Sequence, residues 1–180
     1  MESWHFGMAG SRIKFYQLLD LLVRHEVEFI IVGGLAAVLE GVPIFTMDLD
    51  ILHRPTEDNT ERLLQALVEI HARYRDPAGR LILPDATRLR TNRFNLLATD
   101  LGPLDVLSNL GAGFAYEDLE QRTNTYELGE VRVRVLELAS IIALKEQANR
   151  DKDRAVLPIL RRTLEMKSGK RGAADEEPGT

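Results

Sequence analysis

Two carboxylates two residues apart, Asp48 and Asp50, sit in the short apolar run Thr46-Met47-Asp48-Leu49-Asp50-Ile51-Leu52. Side chains at i and i+2 of a strand leave the same face, so both would point into one small volume. Like charges held that close repel unless a cation lies between them. Upstream, the β-branched run Phe29-Ile30-Ile31-Val32 ends in the pair Gly33-Gly34, and a helix-like segment follows. Backbone N–H groups at such a glycine turn offer a resting place for a phosphate chain. Together these features point to a divalent-metal and nucleotide-phosphate site. Nucleotidyl or phosphoryl transfer needs a phosphate cradle, metal ions to spread developing charge, and an aligned acceptor oxygen. Mg²⁺ keeps several waters, so a few carboxylates suffice to hold it. The candidate for a third acid is Asp105, inside the apolar run Leu104-Asp105-Val106-Leu107. An unpaired charge there is expensive, and a metal removes the objection. Asp105 is also the candidate to accept the proton of an incoming hydroxyl.

These acids matter only if strands bring them together, and the hydropathy pattern supplies the elements. Ile13, Leu18, Leu19, Leu22 and Val23 predict an amphipathic helix from Ser11 to about His25. Residues 28–32 predict a buried strand, 35–40 a short helix closed by Gly41, and 48–52 a second strand. Thr56, followed by Glu57 and Asp58, predicts a capped helix running to about Tyr74. Asp76-Pro77-Ala78-Gly79 is a turn, after which the next stretch has no clear period. Residues 93–98 and 104–107 predict a hairpin, 116–122 a short helix, and 125–128 with 131–136 a second hairpin around Gly129-Glu130. Ser140 predicts the cap of a helix through Ala148, and a last helix spans about 153–166 with a kink at Pro158. The pattern predicts an α/β (α+β) fold, a small mixed β-sheet flanked by helices and not a doubly wound parallel one. Residues 1–10 read as a loose leader with Met8 an alternative start, 11–166 as one domain, and 167–180 as a disordered tail.

A length of 180 residues suits one domain with a sizeable core. With 44% hydrophobic and 28% charged residues the chain reads as a soluble globular protein. No apolar run approaches the roughly 18–20 residues needed to span a bilayer, and Met1-Glu2-Ser3-Trp4-His5-Phe6 lacks the basic start and apolar core of a signal peptide. A cytoplasmic location without a membrane partner is expected. The absence of cysteine excludes disulfides, thiolate ligands and cysteine nucleophiles. A net charge of −5 argues against a broad nucleic-acid surface but leaves room for a local patch. Arg73, Arg75, Arg80, Arg88, Arg90 and Arg93 form such a region, either a solvated face or a landing patch for a phosphate-bearing acceptor; Arg132 and Arg134 could serve similarly.

The arrangement resembles the nucleotidyltransferase fold, the polymerase-β-like superfamily. There a strand ends in a hydrophobic residue, Gly, and Gly or Ser, a short helix follows, and the next strand carries Asp-x-Asp. Gly33-Gly34 and Asp48-Leu49-Asp50 match, and Asp105 stands where the third acid is carried on a later strand. The segment Leu138-Ala139-Ser140-Ile141-Ile142-Ala143-Leu144-Lys145-Glu146, then Arg150-Asp151-Lys152-Asp153, is similar to the C-terminal pattern of small bacterial nucleotidyltransferases grouped with AbiEii-type toxins. The resemblance covers about residues 15–160. It implies Mg²⁺- or Mn²⁺-dependent transfer of a nucleoside monophosphate from an NTP such as ATP to a hydroxyl acceptor, with pyrophosphate released. By position, Gly33 and Gly34 would hold the triphosphate, and Asp48 and Asp50 the metals. Asp105 would complete the metal site and activate the acceptor, Lys145 would neutralise phosphate charge, and Lys152 or Asp153 would border the pocket. Toxin-like relatives modify nucleic acid, typically tRNA ends, which would make an antitoxin protein a partner. Antibiotic-modifying relatives use a small hydroxylated molecule. Many active members carry Ser after the first glycine, with its hydroxyl on the phosphates, where this chain has Gly34.

Plainer readings stand beside these. The glycines could form only a tight turn, the three acids a solvated edge or turn, and Thr46 a cap. Lys145 could snorkel from an amphipathic helix, and Lys152 with Asp153 could merely start one. His5, His25, His53 and His71 lack ligand spacing, and only His53 lies where it could face the site. A non-catalytic nucleotide-binding module on the same fold is the alternative to an enzyme.

Overall fold

Every residue of the run Phe29–Val32 is buried, as befits a strand with neighbours on both edges and cover on both faces. A computed structural model describes residues 14–174 and builds the chain around this strand. The order is α1 (Phe15–Arg24), β1 (Phe29–Val32), α2 (Gly33–Leu39), β2 (Leu49–His53), α3 (Glu57–Glu69), β3 (Arg73–Tyr74) and α4 (Ala86–Thr91). Then come β4 (Phe94–Thr99), β5 (Gly102–Leu107), α5 (Tyr116–Leu119), β6 (Thr123–Leu128), β7 (Val131–Leu136), α6 (Leu138–Ala148) and α7 (Asp151–Ala174). The strands form one seven-stranded sheet in the order β3-β4-β5-β2-β1-β7-β6. β1 pairs antiparallel with β2 and parallel with β7, and β2 pairs parallel with β5. The hairpins β4–β5 and β6–β7 extend the sheet on either side. The expected mixed α/β sheet with C-terminal helices is therefore what the chain forms.

Along β2, Leu49, Ile51 and His53 face one side of the sheet and Asp50 and Leu52 the other. α1, α3 and α4 pack on the first side, α2 and α6 on the second, with α7 against α6. Leu18, Leu22, Leu49, Ile51, Leu63, Leu67 and Leu89 are fully buried and fill the first layer. The Asn59 side chain joins the ends of the two central strands. It accepts from the Glu28 N–H at 2.7 Å and donates to the Glu28 and Arg54 carbonyls at 2.9 and 2.8 Å.

Several boundaries differ from the sequence expectation. α3 stops at Glu69, not near Tyr74, because the chain reverses through His71 in the left-handed region (φ +49°). Arg73 and Tyr74 then form an edge strand on β4. The unassigned stretch contains α4, capped by the Asp85 carboxylate, which accepts from the Arg88 N–H at 2.8 Å. α5 is only Tyr116–Leu119. Ser140 does not cap α6; Glu137 holds that position, and the buried Ser140 hydroxyl donates to its carboxylate at 3.0 Å. α7 runs unbroken through Pro158, whose ring lies on the exposed side, where the carbonyl it leaves unpaired can meet water. It continues past Met166 to Ala174, and Lys167 near its end donates to the buried Glu40 carboxylate at the end of α2. Asn124 and Tyr126 donate to the same carboxylate. The proposed leader and residues 175–180 lie outside the described residues.

Replacing Asn59 by Ala leaves three backbone groups at the strand ends without that partner. Unfolding in urea is expected to show a loss of about 2 kcal/mol with an unchanged slope.

Candidate active site

The pairing of β2 with β5 sets Asp50 opposite Asp105, and β4 continues the same row with Leu96 opposite Asp105. Cross-strand partners in register share a face and lie within side-chain reach. Asp48 precedes the first residue of β2, so the ladder does not fix it. The Thr46 hydroxyl holds it instead, facing the Asp48 carbonyl and carboxylate at 3.2 and 3.3 Å. Asp48, Asp50 and Asp105 each offer an oxygen, and the three atoms lie within 4.8 Å of one another. Asp105 is thus on the same side of the sheet as the other two.

Both glycines are required by contact. Gly33 lies at φ +64°, and a Cβ on it would fall 2.2 Å from an Asp50 carboxylate oxygen. The bare backbone lets the carboxylate rest against the turn, where the Gly34 N–H favours its ionised form. A Cβ on Gly34 would fall 2.6 Å from the Thr46 hydroxyl. The serine that many members of the resembling superfamily carry at this position has no room while Thr46 occupies it.

The acids strain one another electrostatically. Asp50 is pushed up to about 7, first by burial and then by Asp48 and Asp105, with the Gly34 N–H and Lys145 acting in the opposite direction. Asp105 is pushed up to about 6 by burial; Arg75 opposes the rise and Asp48 adds to it. Crowded carboxylates that resist ionisation suit a divalent cation, whose charge would relieve both shifts. The oxygen-only donor set fits Mg²⁺ or Mn²⁺.

Lys145 projects from α6 into the same cleft, and its Nζ donates to Asp153 Oδ1 at 2.9 Å. The Asp153 side chain is fully buried at the start of α7, and Arg150 donates to its other oxygen at 2.6 Å. Burial raises the Asp153 carboxyl, but the hydrogen bonds from Arg150 and Lys145 more than offset it, leaving the group below the ordinary range. Asp153 therefore anchors Lys145 and does not line the cleft, whereas Lys152 does.

The cleft measures about 1100 Å³. Its walls include Gly33, Gly34, the three acids, Lys145 and Lys152, with Arg93, Phe94 and Leu96 on the far side. His53 turns away from it: the ring is fully buried under α4, bonded to the Leu89 carbonyl at 2.9 Å, and burial lowers it to about 4. Of the middle arginines, Arg93 lines the cleft, Arg75 binds Asp105, and Arg80 and Arg88 pair with Asp76 and Asp85. Arg132 and Arg134 are not among the lining residues, and Arg134 pairs with Glu120. The sequence reading missed the contacts of Arg75 and Thr46 with the acids. For Arg75 the available signal was strand alternation, Arg73 and Arg75 flanking Tyr74.

No family model and no curated protein matches the chain by sequence. Solved structures match it in shape. The lincosamide antibiotic adenylyltransferase LnuA with lincomycin bound superposes with a TM-score of 0.57 at 13% identity, covering 82% of this chain and 94% of that one. The antibiotic-resistance factor ANT(2'')-Ia superposes at 0.54 and 14% identity, covering 90% and 92%. At these identities the likeness is one of fold, and the fold is that of nucleotidyltransferases.

The raised acids carry a pH signature. Between about pH 4 and about pH 7 the metal-free folded chain holds protons that the unfolded chain has released. Its stability is therefore expected to fall as pH rises through that window. Asp50→Asn removes the larger shift and should stabilise the metal-free protein at pH 8 by on the order of 2 kcal/mol, after discounting for solvent in the cleft. Urea titrations across this range and up to about pH 8, in the presence of a chelator, check both outcomes.

Proposed function

We propose that the chain is a metal-dependent nucleotidyltransferase that moves a nucleoside monophosphate from an NTP to the hydroxyl of a small molecule. The observation that carries this reading is the convergence of three carboxylate oxygens within 4.8 Å beside a glycine turn. In this reading Asp48, Asp50 and Asp105 hold the divalent cation, Mg²⁺ or Mn²⁺, which when bound supplies positive charge at the phosphates. The triphosphate would lie along the Gly33-Gly34 turn, which lines the cleft. Lys145, held in place by Asp153, adds positive charge on the opposite wall. Asp105, on the wall of the cleft, would take the acceptor's hydroxyl proton. The acceptor oxygen bonds to the α-phosphorus as the bond to pyrophosphate breaks, and pyrophosphate leaves with the electron pair. A cytoplasmic location, where NTPs are plentiful, belongs to this reading.

The small-molecule acceptor is supported by the named activity of LnuA and its bound lincomycin. A second reading, a tRNA end as acceptor in the manner of AbiEii-type toxins with an antitoxin partner, is favoured by the cations Arg93, Arg150 and Lys152 on the cleft wall.

The test incubates the protein with each α-labelled NTP and Mg²⁺, against a panel of hydroxylated small molecules and against total tRNA. Label transfer to one pool is expected, with release of pyrophosphate. Asp48→Ala should lower the rate by about 100-fold or more while leaving the circular-dichroism spectrum unchanged. Label in tRNA alone, with growth arrest on expression, selects the second reading. Binding of Mg²⁺-NTP without transfer to any acceptor identifies a binding module instead.

A further inference from the structure

Arg75 stands one residue beyond β3, yet the sheet fixes its backbone: its N–H donates to the Leu96 carbonyl at 2.9 Å. Arg75, Leu96 and Asp105 therefore occupy one cross-strand row, with Asp50 next along it. Backbones two strands apart lie about 10 Å from one another, a gap that an extended arginine and an aspartate side chain can close together. The guanidinium reaches across Leu96 and donates to Asp105 Oδ1. Among the described residues this is its one ion pair, and its side chain remains about a third exposed (35%). The other cations near the acids are placed differently. Lys145 is bonded to Asp153, and Lys152 acts on Asp105 only through space.

We infer that Arg75 is a positioning residue, the resident counter-ion of the acidic triad, and that it competes with the divalent cation for Asp105. The inference rests on the metal-binding reading given above. In the absence of metal the guanidinium neutralises one of three crowded charges and occupies Asp105 Oδ1. A cation entering the cluster must share that oxygen or displace the arginine, and it also meets a fixed positive charge. Arg75 thereby raises the concentration of free cation that the site needs. Its partial exposure gives the displaced side chain solvent to enter.

Mn²⁺ binding to the full chain without nucleotide, followed by electron paramagnetic resonance, tests this apart from activity. Arg75→Gln is expected to bind Mn²⁺ roughly tenfold more tightly than the parent, because both the competition and the repulsion are gone. Arg75→Lys keeps the charge on a shorter side chain and should fall between the parent and Arg75→Gln. The rise in melting temperature on adding Mn²⁺ should likewise be larger in Arg75→Gln. Unchanged or weaker Mn²⁺ affinity in Arg75→Gln, with binding still lost in Asp50→Asn, would overturn the role of Arg75 alone. Failure of the parent and every variant to bind Mn²⁺ would overturn the metal site and this inference with it.

Discussion

The parallel pairing of β2 with β5 is the constraint on which the site depends. It sets two aspartates opposite one another at neighbouring positions in a sheet, an arrangement that like charges oppose. The surrounding structure makes that placement tolerable. Leu49, Ile51, Leu104 and Val106 are fully buried on the other face, so the strands cannot slip without exposing a core layer. Register is thus enforced by apolar packing on one side, and the electrostatic cost appears on the other.

That cost is distributed over several elements. Gly33 yields space for one carboxylate oxygen, Gly34 offers it an N–H, and Arg75 reaches in from the sheet edge. The opposite wall follows the same logic. Lys145 faces the cleft because a wholly buried Asp153 holds it, with Arg150 on that carboxylate's other oxygen. A buried carboxylate between two cations fixes direction more than it adds stability. Here it gives the α6–α7 junction a single arrangement and points one ammonium toward the acids.

Much of this was legible in the residue order. The strand that ends in Gly33-Gly34, the spacing of Asp48 and Asp50, and the apolar setting of Asp105 each carry a local signature that survives folding. The contacts missed are those that depend on register between distant strands. Arg75 touches Asp105 only because β4 separates them by one strand width, and no local pattern encodes that distance. Thr46 reads as a cap in the residue order, and its closeness to Gly34 follows from the path of the segment after α2. His53 was placed near the site by sequence proximity, whereas strand alternation turns it to the opposite face. Ser140 failed as a cap because Glu137 already occupied the position where the chain enters α6.

The long C-terminal helix has a further meaning for where this domain ends. Glu40 is almost wholly buried, and among the described residues the one cation paired with it is Lys167, near the far end of α7. A polypeptide cut after Met166 would keep the acidic triad and the cleft, yet strand a carboxylate inside the protein without its counter-charge. Glu40 closes the same short helix that Gly33 and Gly34 open, so the edge of the fold is tied to the floor of the cleft by charge. Engineered boundaries that follow hydropathy alone would sever that tie.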